Sequence, residues 1–190
     1  MRALLLALAT MLAGTCAQAG SLVVDGVKYE PTAVVGGKTL RLNGMTTKHN
    51  KLGDRNFAVS VYVQTPTHTT DALLAVPGPK RISFAFLRPV QADNMRFLTQ
   101  GVQNNVDRAE FSKTFVGVMQ LGTLLGAHPT FAEGDSLTMD YQPCVGTRFL
   151  INGKRQGEPV KEPEFFKAML LIWLGPKPAD AQMKAGLLAG

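Results

Sequence analysis

Two thiols and three imidazoles are the groups in this chain whose chemistry would announce itself by spacing. His49, His68 and His128 stand far apart in the sequence and lack the short spacings that metal ligands use. Each reads as a surface residue, and no metal is expected. The sequence has no G-x-S-x-G elbow, no paired Cys/His signature and no phosphate-binding loop. The two glycines of "VVGGK" lack a strand–glycine–helix context and read as a turn. Of the two cysteines, Cys16 falls in the N-terminal segment read below as a signal peptide, whose removal leaves Cys144 without an intrachain partner. An unpaired thiol behaves as a small hydrophobe, so Cys144 is expected to be buried and slow to react. No catalytic residue and no cofactor follows from these motifs.

The elements that would position any site are legible from periodicity. "TLRLNG" alternates Leu40 and Leu42 with polar neighbours. "RNFAVSVYVQT" puts Phe57, Val59, Val61 and Val63 on one face, with Ala58, Ser60 and Tyr62 on the other. That strand is apolar on both sides and should be central. "KRISFAFLR" aligns Ile82, Phe84 and Phe86 in the same way. Two helices should follow. One lies in "QADNMRFLTQGVQNNV"; the other is capped by Asp107, with Phe111, Phe115, Val118 and Leu121 at helical spacing. "DSLTMDYQP" and "GTRFLING" read as a hairpin pair, with Asn152-Gly153 turning into a third short strand. Strands, helices, strands, helices is an α+β order rather than an alternating one.

The N-terminus reads as an address. Arg2, an apolar run from Ala3 to Ala13 and the small-x-small triplet Ala17-Gln18-Ala19 form a secretory signal pattern. Residues 1–19 are expected to be a signal peptide and 20–190 a single domain, periplasmic or secreted. The apolar run falls short of the roughly 20 residues that span a bilayer. The net charge is +6, but the cations are scattered in nothing longer than pairs. Together with export, this excludes nucleic acid as a partner and leaves a solvated basic surface.

The C-terminal "PEFFKAMLLIWLG" carries little charge beyond Glu164 and Lys167. Pro163 suits the first turn of a helix and Gly175-Pro176 terminates it. The helix is too short to cross a membrane, and a helix apolar all round is buried on all sides. No transmembrane segment is expected in the mature chain. This helix is either core or the wall of a pocket.

Five stretches in order resemble chalcone isomerase-like proteins of bacterial type. They are "GVKYEPTAVVGGKTLRLNGMTTK", "NFAVSVYV", "KRISFAFLRPV", "GDSLTMDYQPCVGTRFLINGK" and "FFKAMLLIWLG" with the terminal "LLAG". The resemblance covers most of the chain after residue 19. It implies an open-faced β-sandwich, a large antiparallel sheet with helices packed on one face and a ligand cleft between the layers. Plant enzymes of this family close a flavanone ring by adding a phenolate to an enone, with an arginine holding the anion and hydroxyl and amide side chains assisting. The resemblance places Lys48 at the arginine, Phe57 at a threonine and Phe166 at a threonine or serine. The tyrosine and asparagine would fall in "RPVQADNMRFLTQGVQNNV", which has no tyrosine.

Lysine keeps the charge but lacks the planar two-pronged donor. Each donor lost from a developing oxyanion typically lowers the rate by about 10²–10³. What the resemblance implies is therefore a cleft for a hydrophobic or amphipathic, fatty-acid-like small molecule rather than chalcone cyclisation. Its candidate ligand-facing residues are Lys48, Phe57, Val59, Phe97, Phe166, Met169 and Trp173. Two other readings stay open: an isomerase of the intramolecular lyase type on an enone-like substrate, with Lys48 as electrostatic catalyst, and an envelope partner-binding protein whose apolar helix is simply core.

Overall fold

Seven antiparallel strands build one sheet in the order β11-β10-β9-β6-β5-β4-β3. They are β3 (Thr32–Val35), β4 (Lys38–His49), β5 (Arg55–Val63), β6 (Lys80–Phe86), β9 (Ser136–Gln142), β10 (Gly146–Ile151) and β11 (Lys154–Val160). Two short ribbons flank it, β1 (Leu22–Val24) with β2 (Val27–Tyr29), and β7 (Val90–Gln91) with β8 (Thr130–Phe131). The helices are α1 (Thr70–Ala75), α2 (Phe97–Asn105), α3 (Arg108–Ala127), α4 (Pro163–Leu174) and α5 (Ala181–Leu187). The computed structural model describes residues 21–93 and 97–190. The expected signal peptide lies outside the described residues.

Strand alternation decides which face carries the helices. Phe57 pairs with Phe86, Val59 with Phe84 and Val61 with Ile82; Ile82 in turn pairs with Met139 and Phe84 with Leu137. These side chains form one continuous apolar surface, and α4 buries itself on it. Every residue of α4 from Ala168 to Leu174 is buried, as its all-round hydrophobicity requires. Each such aromatic or aliphatic side chain stabilises the fold by roughly 1.5–3 kcal/mol. Among the described residues no helix is long and apolar enough to cross a membrane. The opposite face is polar toward the middle: Arg81 clamps Asp140 with two bonds of 2.6 and 2.7 Å, and Ser83 meets Thr138 at 2.8 Å. Part of that face is covered by the first ribbon, whose Val27 and Tyr29 pack on Ala58. The molecule is thus an α+β open-faced sandwich with a large antiparallel sheet, as expected, and β5 lies inside it.

Capping and turn chemistry follow the sequence closely. Asp107 accepts a bond from the Glu110 N–H at 2.7 Å and starts α3. Pro163 opens α4 and Gly175 closes it. Asn152 and Gly153 both take positive φ, 50° and 74°, and join β10 to β11. Gly36 and Gly37 do the same between β3 and β4.

Two expectations are corrected. Phe115 is 57% exposed, and the buried seam of α3 runs through Thr114, Gly117, Leu121 and Leu124. Gly117 sets this rotation: a Cβ there would stand 2.3 Å from the Phe165 ring, so only glycine lets α3 lie so close to α4. Cys144 is exposed rather than buried. It occupies the loop between Gln142 and Gly146 at φ 63°, a tight hairpin tip that neither face of the sheet covers.

Candidate functional site

The site begins with an irregularity in β4. Leu42 pairs with Tyr62, yet Gly44 pairs with Val61, so Asn43 is an extra residue. Leu42 consequently faces the polar side of the sheet, whereas Gly44, Thr46 and Lys48 face the helices. The bulge is fixed by side-chain bonds. Asn43 is 1% exposed, accepts from the Thr67 N–H at 2.8 Å and donates to the Leu187 carbonyl at 2.8 Å. Without this extra residue the Lys48 ammonium would sit on the other face of the sheet.

Beside Lys48, directly across the ladder, stands Phe57. A cleft of about 530 Å³ opens there between the sheet and the helices. Its floor is Phe57, Phe84 and Phe86; its helix wall is Phe97 from α2 and Trp173 from α4; its rim carries Lys48, Asn50, Asn56, Arg88, Pro89, Val90, Ala179 and Asp180. The aromatic rings meet edge-on. Phe57 lies 6.1 Å from Phe84, 6.5 Å from Phe86 and 6.3 Å from Trp173, and Phe97 lies 5.5 Å from Trp173. Edge-to-face contacts at these separations are an arrangement that the ring quadrupoles prefer. The Trp173 indole is 2% exposed, and its Nε1–H has no acceptor among the described residues.

The rim is charged but balanced. Lys48 Nζ donates to Asp180 Oδ2 at 2.6 Å, with the two side chains 37% and 22% exposed. Asp180 is also the N-cap of α5, its Oδ1 accepting from the Gln182 and Met183 N–H groups at 2.9 and 3.1 Å. The Lys48 hydrogen bond, helped by those backbone donors, holds the Asp180 carboxyl below its ordinary value. The stability that Asp180 contributes is therefore full above the ordinary carboxylate range and is lost as pH falls from there through the lowered value. Arg88 is the second cation among the described rim residues. Its Nη1 meets Asp54 Oδ2 at 3.1 Å, with both side chains about half exposed.

The cleft brings together Lys48, Phe57, Phe97 and Trp173 of the seven sequence candidates. The other three lie elsewhere. Val59 is fully buried in the core one step along β5. Met169 is 1% exposed, also in core, and Phe166 stacks on Tyr141 at 5.3 Å, away from the cleft. The helical spacing of Phe166, Met169 and Trp173 does define one stripe, but the cleft opens only at the C-terminal end of α4. Met169→Trp should therefore overpack the core rather than fill a pocket. The expected result is a loss of about 1–3 kcal/mol in chemical denaturation. Sequence reasoning missed Phe84 and Phe86 as lining residues because they read only as core. It missed Arg88, Asn56 and Asp180 because bends and bulges, not periodicity, aim them. Among the described lining residues there is no hydroxyl, thiol or imidazole, and among the described residues no group of side chains could hold a metal.

The family model described as chalcone isomerase-like matches residues 21–189. No curated protein sequence matches the chain. Among solved structures, a fatty-acid binding protein of Arabidopsis thaliana superposes with a TM-score of 0.70 at 15% identity, over 89% of this chain and 96% of that one. At that identity the likeness speaks for the fold alone.

Proposed function

Because the chain belongs to the chalcone isomerase-like family, we propose that it is an exported, non-catalytic member that binds a fatty-acid-like amphipathic molecule in the cleft between sheet and helices. The observation that carries this reading is the composition of the cleft: five aromatic rings line its interior while ionic and amide groups are confined to the rim. An apolar chain would displace water from the ring faces, and a polar head would stay at the mouth. The structural neighbour that binds fatty acid adds support at the level of fold. The export part rests on the signal pattern of residues 1–19.

The isomerase reading asks Lys48 to stabilise a developing oxyanion. Lys48 is already bonded to Asp180 at 2.6 Å, and no hydroxyl donor stands beside it among the described lining residues. An electrostatic catalyst needs its donors free and aimed at the new charge. The pairing therefore favours binding over catalysis.

Trp173 is the sole tryptophan and lines the cleft, so the protein carries its own reporter. Titration with a dansyl-labelled undecanoic acid should change Trp173 emission saturably and transfer energy to the dansyl group. Ala179→Trp places a large ring on the exposed rim, where it meets no core. It should weaken probe binding at least about tenfold, equivalent to roughly 1.4 kcal/mol, while leaving the melting temperature nearly unchanged. Absence of saturable binding by the natural sequence would sink the proposal.

A further inference from the structure

The rim holds two described cations, and the structure treats them unequally. Lys48 is the closer to Phe57 and is the position that the family resemblance nominates. Its ammonium is nevertheless committed: the 2.6 Å bond to Asp180 is short, and both partners are more sheltered than Arg88 and Asp54. Asp180 is in turn held rigidly, because its other oxygen caps α5. A ligand carboxylate arriving at Lys48 would have to displace a fixed carboxylate already in place, and would meet its repulsion until it did.

Arg88 offers the opposite conditions. Its contact with Asp54 is 3.1 Å long and exposed to solvent, where an ion pair adds little. Asp54 Oδ2 also takes a 2.8 Å bond from Asn50 Nδ2, so the carboxylate keeps a partner if the guanidinium leaves. Among the described residues, one of the five Arg88 N–H donors has an acceptor. The backbone around Arg88 is nonetheless fixed, with the Leu87 N–H bonded to the Asn56 carbonyl at 2.9 Å and Pro89 following. The result is an anchored chain position carrying a planar fork that can turn toward the cleft it already lines. Planar forks match carboxylates with two parallel bonds, which a lysine cannot do.

We propose that Arg88, and not Lys48, receives the anionic head of the cleft ligand, a long-chain carboxylate, and that Asp180 keeps Lys48 out of that role. This rests on the binding reading given above and names the residue that selects the head group.

The experiment compares dodecanoate with dodecanol, which share a chain and differ in charge, using Trp173 emission in the full mature protein. The natural sequence should prefer dodecanoate by about tenfold, the scale of a charged hydrogen bond. Arg88→Gln should erase that preference while dodecanol binding persists; the double variant Lys48→Gln/Asp180→Asn, which removes both charges of the pair together, should retain it. Asp180→Asn keeps an oxygen to cap α5 but removes the charge, so it should free Lys48 and raise dodecanoate affinity several-fold. Arg88 is exposed and outside the core, so an unchanged melting temperature for Arg88→Gln serves as the folding control. Retention of the preference in Arg88→Gln, or its loss in the double variant Lys48→Gln/Asp180→Asn, overturns the inference. Equal binding of the two ligands by the natural sequence overturns the inference and leaves the cleft as a neutral-chain site. Binding of neither overturns the cleft reading itself, and the inference with it.

Discussion

Gly44→Val is expected to detach α5 from the sheet and lower the melting temperature by about 6–12 °C. A Cβ at Gly44 would stand 2.3 Å from the Leu187 carbonyl oxygen and 2.4 Å from that of Gly186. Both obstacles are backbone, so no rotamer change relieves them. The contact is close from both sides, since a Cβ at Gly186 would in turn meet the Met45 carbonyl at 2.8 Å. Pushing α5 away exposes Met183 and Leu187, which are 1% and 0% exposed, and breaks the Asn43 bond to Leu187. Overpacking alone costs about 1–3 kcal/mol, and the lost burial takes the total to roughly 3 kcal/mol. For a chain of this size each kcal/mol moves the midpoint by about 2–4 °C. Gly122→Val is the control, because nothing lies within 4 Å of a Cβ there; its effect should stay near the small difference in helix propensity. Hydrogen exchange locates the damage: α5 amides should lose protection while those of β6 and β9 keep theirs. Equal stability of the two variants would show that α5 is not docked through Gly44. The functional consequence follows from Asp180, which leaves with α5 and releases Lys48.

Much of this architecture is written locally. Val59, Val61, Ile82 and Phe84 alternate because a half-buried strand must, and a period of two survives whatever surrounds it. Asp107, Pro163, Gly175 and Asn152-Gly153 act on their own neighbours, so caps and turns can be read without the fold. The family resemblance extended that reading to the layer arrangement. The site was less legible because its geometry is non-local. Lys48 lies on the cleft face only through the extra residue Asn43, whose partners are Thr67 and Leu187, distant in sequence. Pattern alone would continue the Leu40–Leu42 alternation and send Lys48 to the other side. Asp180 reaches Lys48 only because two glycines let α5 approach β4. Helical spacing grouped Phe166 and Met169 with Trp173, yet spacing cannot tell where along a stripe a cavity opens. Cys144 and Phe115 failed for a related reason: their hydrophobic character argues for burial, while a hairpin tip and the Gly117 contact decide against it.

Trp173→Ala should be the most damaging single change in the cleft wall, lowering stability by about 3–5 kcal/mol. The indole is 2% exposed and holds three rings in place, Phe57 at 6.3 Å, Phe84 at 5.9 Å and Phe97 at 5.5 Å. These come from β5, β6 and α2, so Trp173 is where the sheet, α2 and α4 meet. Its removal leaves a void continuous with the cleft. Water can then enter what the rings now keep dry, and probe affinity should fall together with stability. Trp173→Phe separates the two effects. It keeps a ring against Phe57 and Phe97 but deletes the Nε1–H, a buried donor that has no acceptor among the described residues. Leaving such a donor unsatisfied costs roughly 1–3 kcal/mol, which offsets much of the volume lost on truncation to phenylalanine. Trp173→Phe should thus fall within about 1.5 kcal/mol of the natural sequence, whereas Trp173→Ala should not. Urea denaturation measures both, with circular dichroism as the probe because the fluorophore is gone. Binding of the dansyl acid, followed through its own emission, should survive in Trp173→Phe. If Trp173→Phe proves as destabilised as Trp173→Ala, the bicyclic ring's volume rather than its N–H governs this position, and the offset argued from the unpaired donor fails.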